Sequence, residues 1–424
     1  MNRVASVDPR TRPDGLGWVT RAIFADPEPD LDPGPVPGSD PGRRPVTIGR
    51  RPANPDGPRW AVVPSVDRAR FLIPLGNRRV AAASMLSYNA LRSGPTRAIR
   101  ALLGGLARIG AARAFPVLSA DAALVTHLAA VLDEPTLAAA VGIRPPDPTR
   151  KPTLQLFDDR GRPRGYAKIG WNEATRALVR AESAALRAIP VDAGTGHPLI
   201  PRPLYAGDWA GRSIGVTAPL PENVRRLSDP DRPRPAAMLA VARRGGPPGP
   251  RLPLGTSPFL TRLGAAAHPA PAPAIRAAIA GLAASAVVVE FGHWHGDWVP
   301  WNLGEVSSAS SGARLVAWDW EHSGPDVPVG FDLAHQAFTT ALVVGRQPAA
   351  RAARTAAEAL HRHGPEIGLA SAAVAPVLQA YLIEMWMRTW RMASGGAGWN
   401  PDLHPSLLEL LAESVPLSMT ERIA

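Results

Sequence analysis

The sequence has 424 residues but no cysteine, and only two of its 47 basic residues are lysines. The absence of cysteine excludes disulfide bonds, thiolate metal sites and cysteine nucleophiles. Arginine supplies the other 45 basic residues, so each retained lysine is informative. Lys151 and Lys168 indicate positions that need a compact ammonium group rather than a planar guanidinium.

The chain also lacks a long apolar run. Its longest apolar stretch, residues 281–289, is far too short to span a bilayer. The first residues, MNRVASVDPRTRPDG, do not contain the apolar segment of a secretory signal. With 45% hydrophobic and 20% charged residues, the composition is typical of globular proteins. We therefore expect a soluble, cytoplasmic protein without a transmembrane segment.

Composition and periodicity divide the chain into four segments. Residues 1–56 are rich in Pro, Asp and Gly and show no period, which predicts a disordered tail. Residues 57–125 predict a small basic α/β region, and residues 126–220 predict a small lobe of β-hairpins and one helix. Residues 221–424 predict a larger, mainly helical lobe. The predicted fold class is therefore α+β.

Residues 57–113 carry most of the basic excess, with ten arginines and a single acid, Asp67. Two stretches, RRVAAASMLSYNAL and PTRAIRALLGGLARIG, predict amphipathic helices with arginine on the polar side. The simplest interpretation is a solvated basic face. The alternative is a docking surface for an anionic partner such as a membrane surface, a nucleic acid or an acidic glycan.

The stretch FGHWHGDWVPWNLG, residues 291–304, contains two overlapping motifs. The first is H-x-H-x-D, formed by His293, His295 and Asp297, which would supply zinc ligands to a hydrolase. Further ligands would have to come from histidines downstream, where His322 and His335 are candidates. The helical pattern around those histidines does not favour the α/β scaffold that such a site requires.

The second motif is H-x-D-x-x-x-x-N, in which Asn302 follows Asp297 by five positions. Kinase catalytic loops use this spacing, because the aspartate must reach the acceptor hydroxyl while the asparagine turns back to a divalent cation. A β-hairpin is then predicted from NLGEVSSASSGARLVAWDWEHSG, and its second strand ends at Asp319. An acid at that place is the second metal ligand of the kinase template, although capping of the following turn is the alternative.

Lys168 lies in the predicted strand GYAKIG, and Glu182 lies in the predicted helix that follows. In kinases, a strand lysine paired with a glutamate of the next helix anchors the nucleotide phosphates. The alternative is a surface lysine and a solvated glutamate. The scarcity of lysine in this chain weakens that alternative for Lys168.

Together, these motifs resemble those of the aminoglycoside phosphotransferase and choline kinase-like family, over about residues 138–400. The resemblance implies a protein-kinase-like fold with a small N-terminal lobe and a larger helical lobe, and it implies ATP and Mg²⁺ as cofactors. It assigns site roles as follows: Asp297 as catalytic base, Asn302 and Asp319 as magnesium ligands, Lys168 and Glu182 as nucleotide-positioning residues, and Asp332 as a brace for the catalytic loop.

The chain departs from the protein-kinase pattern in two places. Gly296 stands where protein kinases have arginine, as in small-molecule phosphotransferases, and no glycine-rich loop precedes Lys168. Arg150 or Lys151 could contact phosphates instead, but a solvated turn is the simpler interpretation.

The sequence therefore predicts a phosphotransferase that acts on a hydroxyl of a small molecule. Residues 331–400 contain only four acids, which does not suit a polycationic aminoglycoside as acceptor. Tryptophans are numerous around the motif, and most are expected in the core, although some could stack on a flat acceptor. Two alternatives stay open: a kinase-fold binding protein without turnover, and the zinc-dependent hydrolase.

Overall fold

The computed structural model describes residues 16–24, 47–49, 58–143, 150–190, 194, 196–267, 273–308, 312–397 and 403–413. The chain forms two compact units. The first comprises Met1–Ser183 and Pro201–Val224, and the second comprises Ala184–Ile200 and Arg225–Ala424.

Within the described residues, the first unit is built on a nine-stranded antiparallel sheet in the order β1-β4-β2-β3-β5-β6-β7-β9-β8. The strands are β1 (Thr47–Gly49), β2 (Arg59–Val63), β3 (Phe71–Pro74), β4 (Val117–Ser119), β5 (Ala138–Gly142), β6 (Thr153–Phe157), β7 (Pro163–Gly170), β8 (Pro203–Trp209) and β9 (Arg212–Thr217). The helices are α1 (Gly17–Phe24), α2 (Arg78–Leu86), α3 (Gly94–Arg108), α4 (Ala123–Val131) and α5 (Glu173–Ala188), which continues into the second unit.

The boundary predicted at residue 125 runs through this sheet. Strand β3 pairs with β5, placing Leu72 opposite Val141, and both side chains are buried in one core. The basic region and the predicted small lobe therefore share one sheet, because short apolar strands on either side of the boundary need each other to bury their side chains.

Helix α1 and strand β1 lie within the segment predicted as a disordered tail, and the rest of that segment lies outside the described residues. Helix α1 forms because Trp18, Val19, Ala22 and Ile23 recur at helical spacing and are buried. Arg212 of β9 donates from Nε to the carbonyl oxygen of Ala22 at 2.6 Å.

The second unit is mainly helical. Its helices are α6 (Pro235–Arg243), α7 (Pro258–Ala266), α8 (Pro273–Ala283), α9 (Phe331–Thr339), α10 (Ala349–His363), α11 (Val374–Ser394) and α12 (Leu403–Glu413). Its strands are β10 (Arg251–Pro253), β11 (Val288–Trp294), β12 (Leu303–Ser308), β13 (Gly312–Ala317) and β14 (Gly324–Pro328). Short turns of 3₁₀ helix cover Asn89–Leu91, Ala111–Ala114, Leu254–Thr256, Pro300–Asn302, Gly364–Ile367 and Ser371–Ala373, and a π turn covers Thr340–Val344.

The predicted hairpin is present as β12 and β13, which pair antiparallel from Leu303 opposite Ala317 to Ser308 opposite Gly312. The sequence did not predict the small sheet β10-β11-β14. Strand β11 ends just before the HGDWVPWN motif, and β14 begins shortly after Asp319. Among the described helices, none is long and apolar enough to cross a bilayer.

Most tryptophans around the motif belong to the core, as expected. Trp294, Trp298 and Trp320 are buried, and so is Trp386 on α11. Trp301 differs from them, because 44% of it is exposed. It is therefore the residue of this group that can meet a ligand most directly.

Candidate active site

The loop after β11 is held by a buried carboxylate at the start of α9. Asp332 accepts hydrogen bonds from the backbone N–H groups of His295, at 2.8 Å, and of Gly296, at 3.0 Å. Burial raises the pKa of Asp332 to about 7, although the two N–H groups and the nearby Arg388 act in the opposite direction. These contacts hold the backbone of the loop at its first two residues.

Arg388 on α11 holds the same loop from the carbonyl side. Its Nη1 donates to the carbonyl oxygen of Gly296 at 2.7 Å, and its guanidinium lies 4.8 Å from the ring centroid of Trp294. Gly296 has a φ of +81°, and a Cβ at this position would collide with the backbone oxygen of His322. Glycine at the second position of the H-G-D motif is therefore a steric requirement of this loop.

His295 is fully buried and both of its ring nitrogens have partners. Nε2 lies 3.1 Å from the carbonyl oxygen of Trp318, and Nδ1 accepts from the backbone N–H of Asp297 at 3.2 Å. Burial lowers the pKa of His295 to about 4, so the ring is neutral near pH 7 and its proton resides on Nε2. The ring thus connects the loop to the end of β13.

This geometry does not suit the zinc interpretation of the H-x-H-x-D run. His295 could bind a metal only by giving up one of its two hydrogen bonds. Among the described residues, no three His, Asp or Glu side chains are grouped so that they could hold a metal ion by themselves.

Asp297 follows, and two side chains orient its carboxylate. Asn302 donates from Nδ2 to Oδ2 at 2.7 Å and also to the backbone oxygen of Asp297 at 3.1 Å. His335 lies with Nε2 at 3.1 Å from Oδ1. Burial alone would raise the pKa of Asp297, but the hydrogen bond from His335 and the electrostatic effect of His335, His322 and His295 together outweigh burial and hold the pKa well below its usual range. The side chain is still 30% exposed, so an ionised carboxylate is accessible to a ligand.

The sequence suggested His335 only as a candidate zinc ligand, whereas the structure places it behind Asp297. Its Nδ1 lies 3.1 Å from the hydroxyl of Tyr381 on α11. Burial lowers the pKa of His335, so the ring is neutral and can donate from Nε2 only if Nδ1 accepts. Tyr381 therefore donates to His335, and His335 donates to Asp297. The sequence signal was D-x-x-H: Asp332 and His335 lie one turn apart on α9.

Asp319 lies just beyond β13, nearly buried, with a φ of +64°. The preceding residue, Trp318, donates its backbone N–H to the carbonyl oxygen of Asn302 at 3.1 Å, which links the two candidate metal ligands. Asp297 and Asp319 are both close enough to raise the pKa of His295 electrostatically, against the larger effect of burial. The structure therefore brings Asp297, Asn302 and Asp319 together around one buried histidine.

The oxygen atoms in this group suit a hard divalent cation. Asp319 offers a carboxylate, and Asn302 offers its amide oxygen because its Nδ2 is directed at Asp297. Magnesium is commonly bound by one or two protein oxygen ligands together with substrate phosphates and water. The two residues are thus a sufficient protein contribution to such a site.

The predicted lysine–glutamate pair forms within the first unit. Nζ of Lys168 lies 2.8 Å from Oε1 and 2.7 Å from Oε2 of Glu182, and both side chains are largely buried. Lys151, expected in a solvated turn, is instead buried. The carbonyl oxygen of the next residue, Pro152, accepts the N–H of Ile169 at 3.2 Å, so the pairing of β6 and β7 continues to the residue beside Lys151.

No protein-family model matches the sequence, and no curated protein does. Two solved structures show a distant likeness. One is described as a fructosamine-3-kinase from Haemophilus somnus 129PT, with a TM-score of 0.38 and 12% identity over 62% of this chain and 88% of that chain. The other is an ethanolamine kinase from Plasmodium vivax, with a TM-score of 0.38 and 11% identity over 81% of this chain and 96% of that chain. Because the TM-scores and the sequence identities are this low, the function is proposed from the geometry of the site.

Replacing Asp332 with Asn tests the brace. An amide offers one acceptor where two backbone N–H groups need partners, so we expect one of the two N–H groups to lose its hydrogen bond and its protection from solvent. Hydrogen exchange at pH 8, where the wild-type carboxyl is ionised, should accelerate at His295 or Gly296. Asp326→Asn makes the same chemical change at an exposed position and is the control. Equal exchange at His295 and Gly296 in the two variants would contradict the role of Asp332.

Proposed function

We propose that the protein is an ATP-dependent phosphotransferase that transfers the γ-phosphate to a hydroxyl group of a small molecule. We further propose that it has the two-lobe protein-kinase-like fold of the aminoglycoside phosphotransferase and choline kinase-like family. The observation that supports this proposal most directly is the environment of Asp297. Its carboxylate is ionised, accessible and held by two donors, Asn302 and His335.

Asp297 would orient the acceptor hydroxyl and accept its proton. A carboxylate with a depressed pKa is a weak base, so it would take the proton late in the reaction. This is adequate for phosphoryl transfer, because the transition state is loose and the nucleophile needs positioning more than early deprotonation. The two hydrogen bonds to the carboxylate supply that positioning.

Asn302 and Asp319 would hold Mg²⁺. When bound, the ion neutralises charge that develops on the transferred phosphoryl group. The hydrogen bond from the backbone N–H of Trp318 to the backbone oxygen of Asn302 supports this proposal, because it joins the backbone beside Asp319 to that of Asn302.

Lys168 would contact the nucleotide phosphates, and Glu182 would hold its ammonium in place. A largely buried ion pair contributes little net stability, since desolvation offsets most of the attraction. Its presence in a chain with only two lysines therefore favours a role in binding over a role in folding.

The acceptor is proposed to be a neutral or anionic small molecule rather than a polycation, since residues 331–400 contain four acids. Asp332 is one of them, and it is buried under the loop, where it cannot face a ligand. Trp301 is exposed between Asp297 and Asn302 and could stack on a flat acceptor.

Transfer of label from γ-labelled ATP tests the proposal. We expect purified protein with Mg²⁺ to label a compound in one of three pools: sugars, amino alcohols or nucleosides. Asp297→Asn should bind ATP normally and lose about 10²–10⁴-fold in turnover, the usual contribution of a positioned acid–base group. Asp326→Asn should retain full activity. ATP binding without transfer to any pool would indicate the catalytically silent alternative.

We expect the Lys168→Arg variant to fold but to lose ATP binding. The wider, planar guanidinium would not occupy the point between Glu182 and a phosphate that an ammonium occupies. The unliganded melting temperature should stay close to that of the wild type, while the additional stabilisation by Mg·ATP should largely disappear. Glu182→Gln keeps the lysine and nearly the same side-chain shape, and it should weaken ATP binding in the same direction. Retained ATP binding in both variants would remove the pair from the site.

His335 is expected to control the acidic limb of the pH profile. Since His335 lowers the pKa of Asp297, His335→Leu should raise that pKa and move the acidic limb of kcat/KM to higher pH. In His335→Gln, the amide N–H can replace Nε2–H, so the limb should return towards the wild-type position. A purely structural role would lower activity equally at every pH and would not distinguish Leu from Gln.

A further inference from the structure

Helix α3 presents apolar side chains to solvent. Ile99, Leu102, Leu106 and Ile109 are 60%, 65%, 37% and 70% exposed. Their spacing of three, four and three residues places them along one side of the helix. An amphipathic surface helix normally buries such a stripe. The sequence predicted an amphipathic helix with arginine on its polar side, and it did not predict an apolar stripe exposed to solvent.

The cause is an arginine on the buried side of the helix. Arg100 is 4% exposed, and it donates from Nε to the carbonyl oxygen of Met85 at 2.8 Å and from Nη2 to that of Ser87 at 3.0 Å. These carbonyls lie at the C-terminal end of α2, where helical partners are missing. Gly104 and Ala107 are buried on the same side of α3 as Arg100. That side of the helix therefore faces the protein, and the apolar stripe faces outwards.

The surroundings of the stripe are strongly basic. Residues 68–120 contain nine arginines and no acidic residue. All of these arginines except Arg100 are exposed, namely Arg68, Arg70, Arg78, Arg79, Arg92, Arg97, Arg108 and Arg113. A ligand for this surface has to accept both apolar contact and positive charge.

We propose that α3 and the exposed arginines around it bind the surface of an anionic lipid bilayer. The four apolar side chains would enter the boundary between headgroups and acyl chains, and the guanidinium groups would pair with lipid phosphates. The proposal concerns the first unit and does not depend on the proposed phosphotransferase activity.

Other occupants fit this surface less well. A nucleic acid would satisfy the arginines but leave the isoleucines and leucines without apolar partners. A second copy of the chain would cover the stripe, but it would bring two arginine-rich segments against each other. A bilayer with anionic headgroups supplies both kinds of contact.

Vesicle co-sedimentation of the full-length protein tests the proposal. We expect binding to vesicles of equal parts phosphatidylcholine and phosphatidylglycerol, and no binding to vesicles of phosphatidylcholine alone. Ile99→Ser combined with Leu102→Ser and Leu106→Ser should reduce binding to the level seen without vesicles. Val343→Ser with Val344→Ser removes side chains that are 56% and 64% exposed in the second unit, and this control should bind like the wild type.

A second pair of variants separates local charge from net charge. Arg97→Gln with Arg108→Gln should weaken vesicle binding by about tenfold or more, since each basic residue near an anionic surface contributes substantially. Arg351→Gln with Arg354→Gln alters the net charge equally on the exposed side of α10 and should leave binding unchanged. Unliganded melting temperatures would confirm that every variant is folded.

Two results would overturn the proposal. The first is absence of binding to anionic vesicles. The second is equal loss of binding in the two arginine pairs, which would mean that binding follows net charge alone. If vesicle binding is absent, light scattering without lipid tests for a concentration-dependent dimer. A dimer that the triple serine variant converts to a monomer would make the stripe an interface between two copies.

Discussion

The two hydrogen bonds that Asp332 accepts from the backbone of His295 and Gly296 determine where Asp297 lies. A loop that ends in a left-handed glycine has no regular partner for its N–H groups, and burying them unpaired would cost several kcal/mol. Asp332 supplies both acceptors, and Arg388 satisfies the carbonyl of the same glycine. With its backbone held on both sides, the loop can present the next residue in one orientation. The candidate chemistry therefore depends on a carboxylate that never meets a ligand.

Asp297 and Asp332 are close enough for the negative charge of one to raise the pKa of the other. Their environments decide which carboxylate takes a proton first. Asp332 is wholly enclosed, and burial brings its pKa to about 7. Asp297 is partly exposed, and the hydrogen bond from His335 together with the electrostatic effect of the neighbouring histidines lowers its pKa. Neither histidine beside Asp297 is charged near pH 7, since burial lowers the pKa of both His295 and His335. The carboxylate is thus stabilised by neutral donors, which leaves its negative charge available to attract a cation or polarise a hydroxyl.

The parts of the site that could be predicted from sequence are those encoded locally. The five-residue spacing of Asp297 and Asn302, and the hairpin that leads to Asp319, need only a loop and two adjacent strands. Lys168 could be singled out because arginine replaces lysine almost everywhere else. Tyr381 and Arg388 could not be identified from the sequence, because their contacts are made between distant positions. Tyr381 contacts His335 across 46 positions, and Arg388 contacts Gly296 across 92 positions. Strand β11 was also missed, because an apolar run of this length does not distinguish a strand from a buried helix.

Helix α3 shows why periodicity alone does not decide which side of a helix faces the core. The pattern predicted an amphipathic helix, but which side of such a helix faces the core depends on other demands besides apolar burial. The end of α2 leaves carbonyl groups that need donors, and a planar guanidinium with several N–H groups can satisfy more than one of them at once. Arg100 meets that need from inside, and its buried position turns Leu102 and Ile109 towards the solvent. A local requirement for hydrogen bonds has thereby left an apolar stripe exposed in the described part of the chain, and this exposure is the physical reason to expect a partner for it.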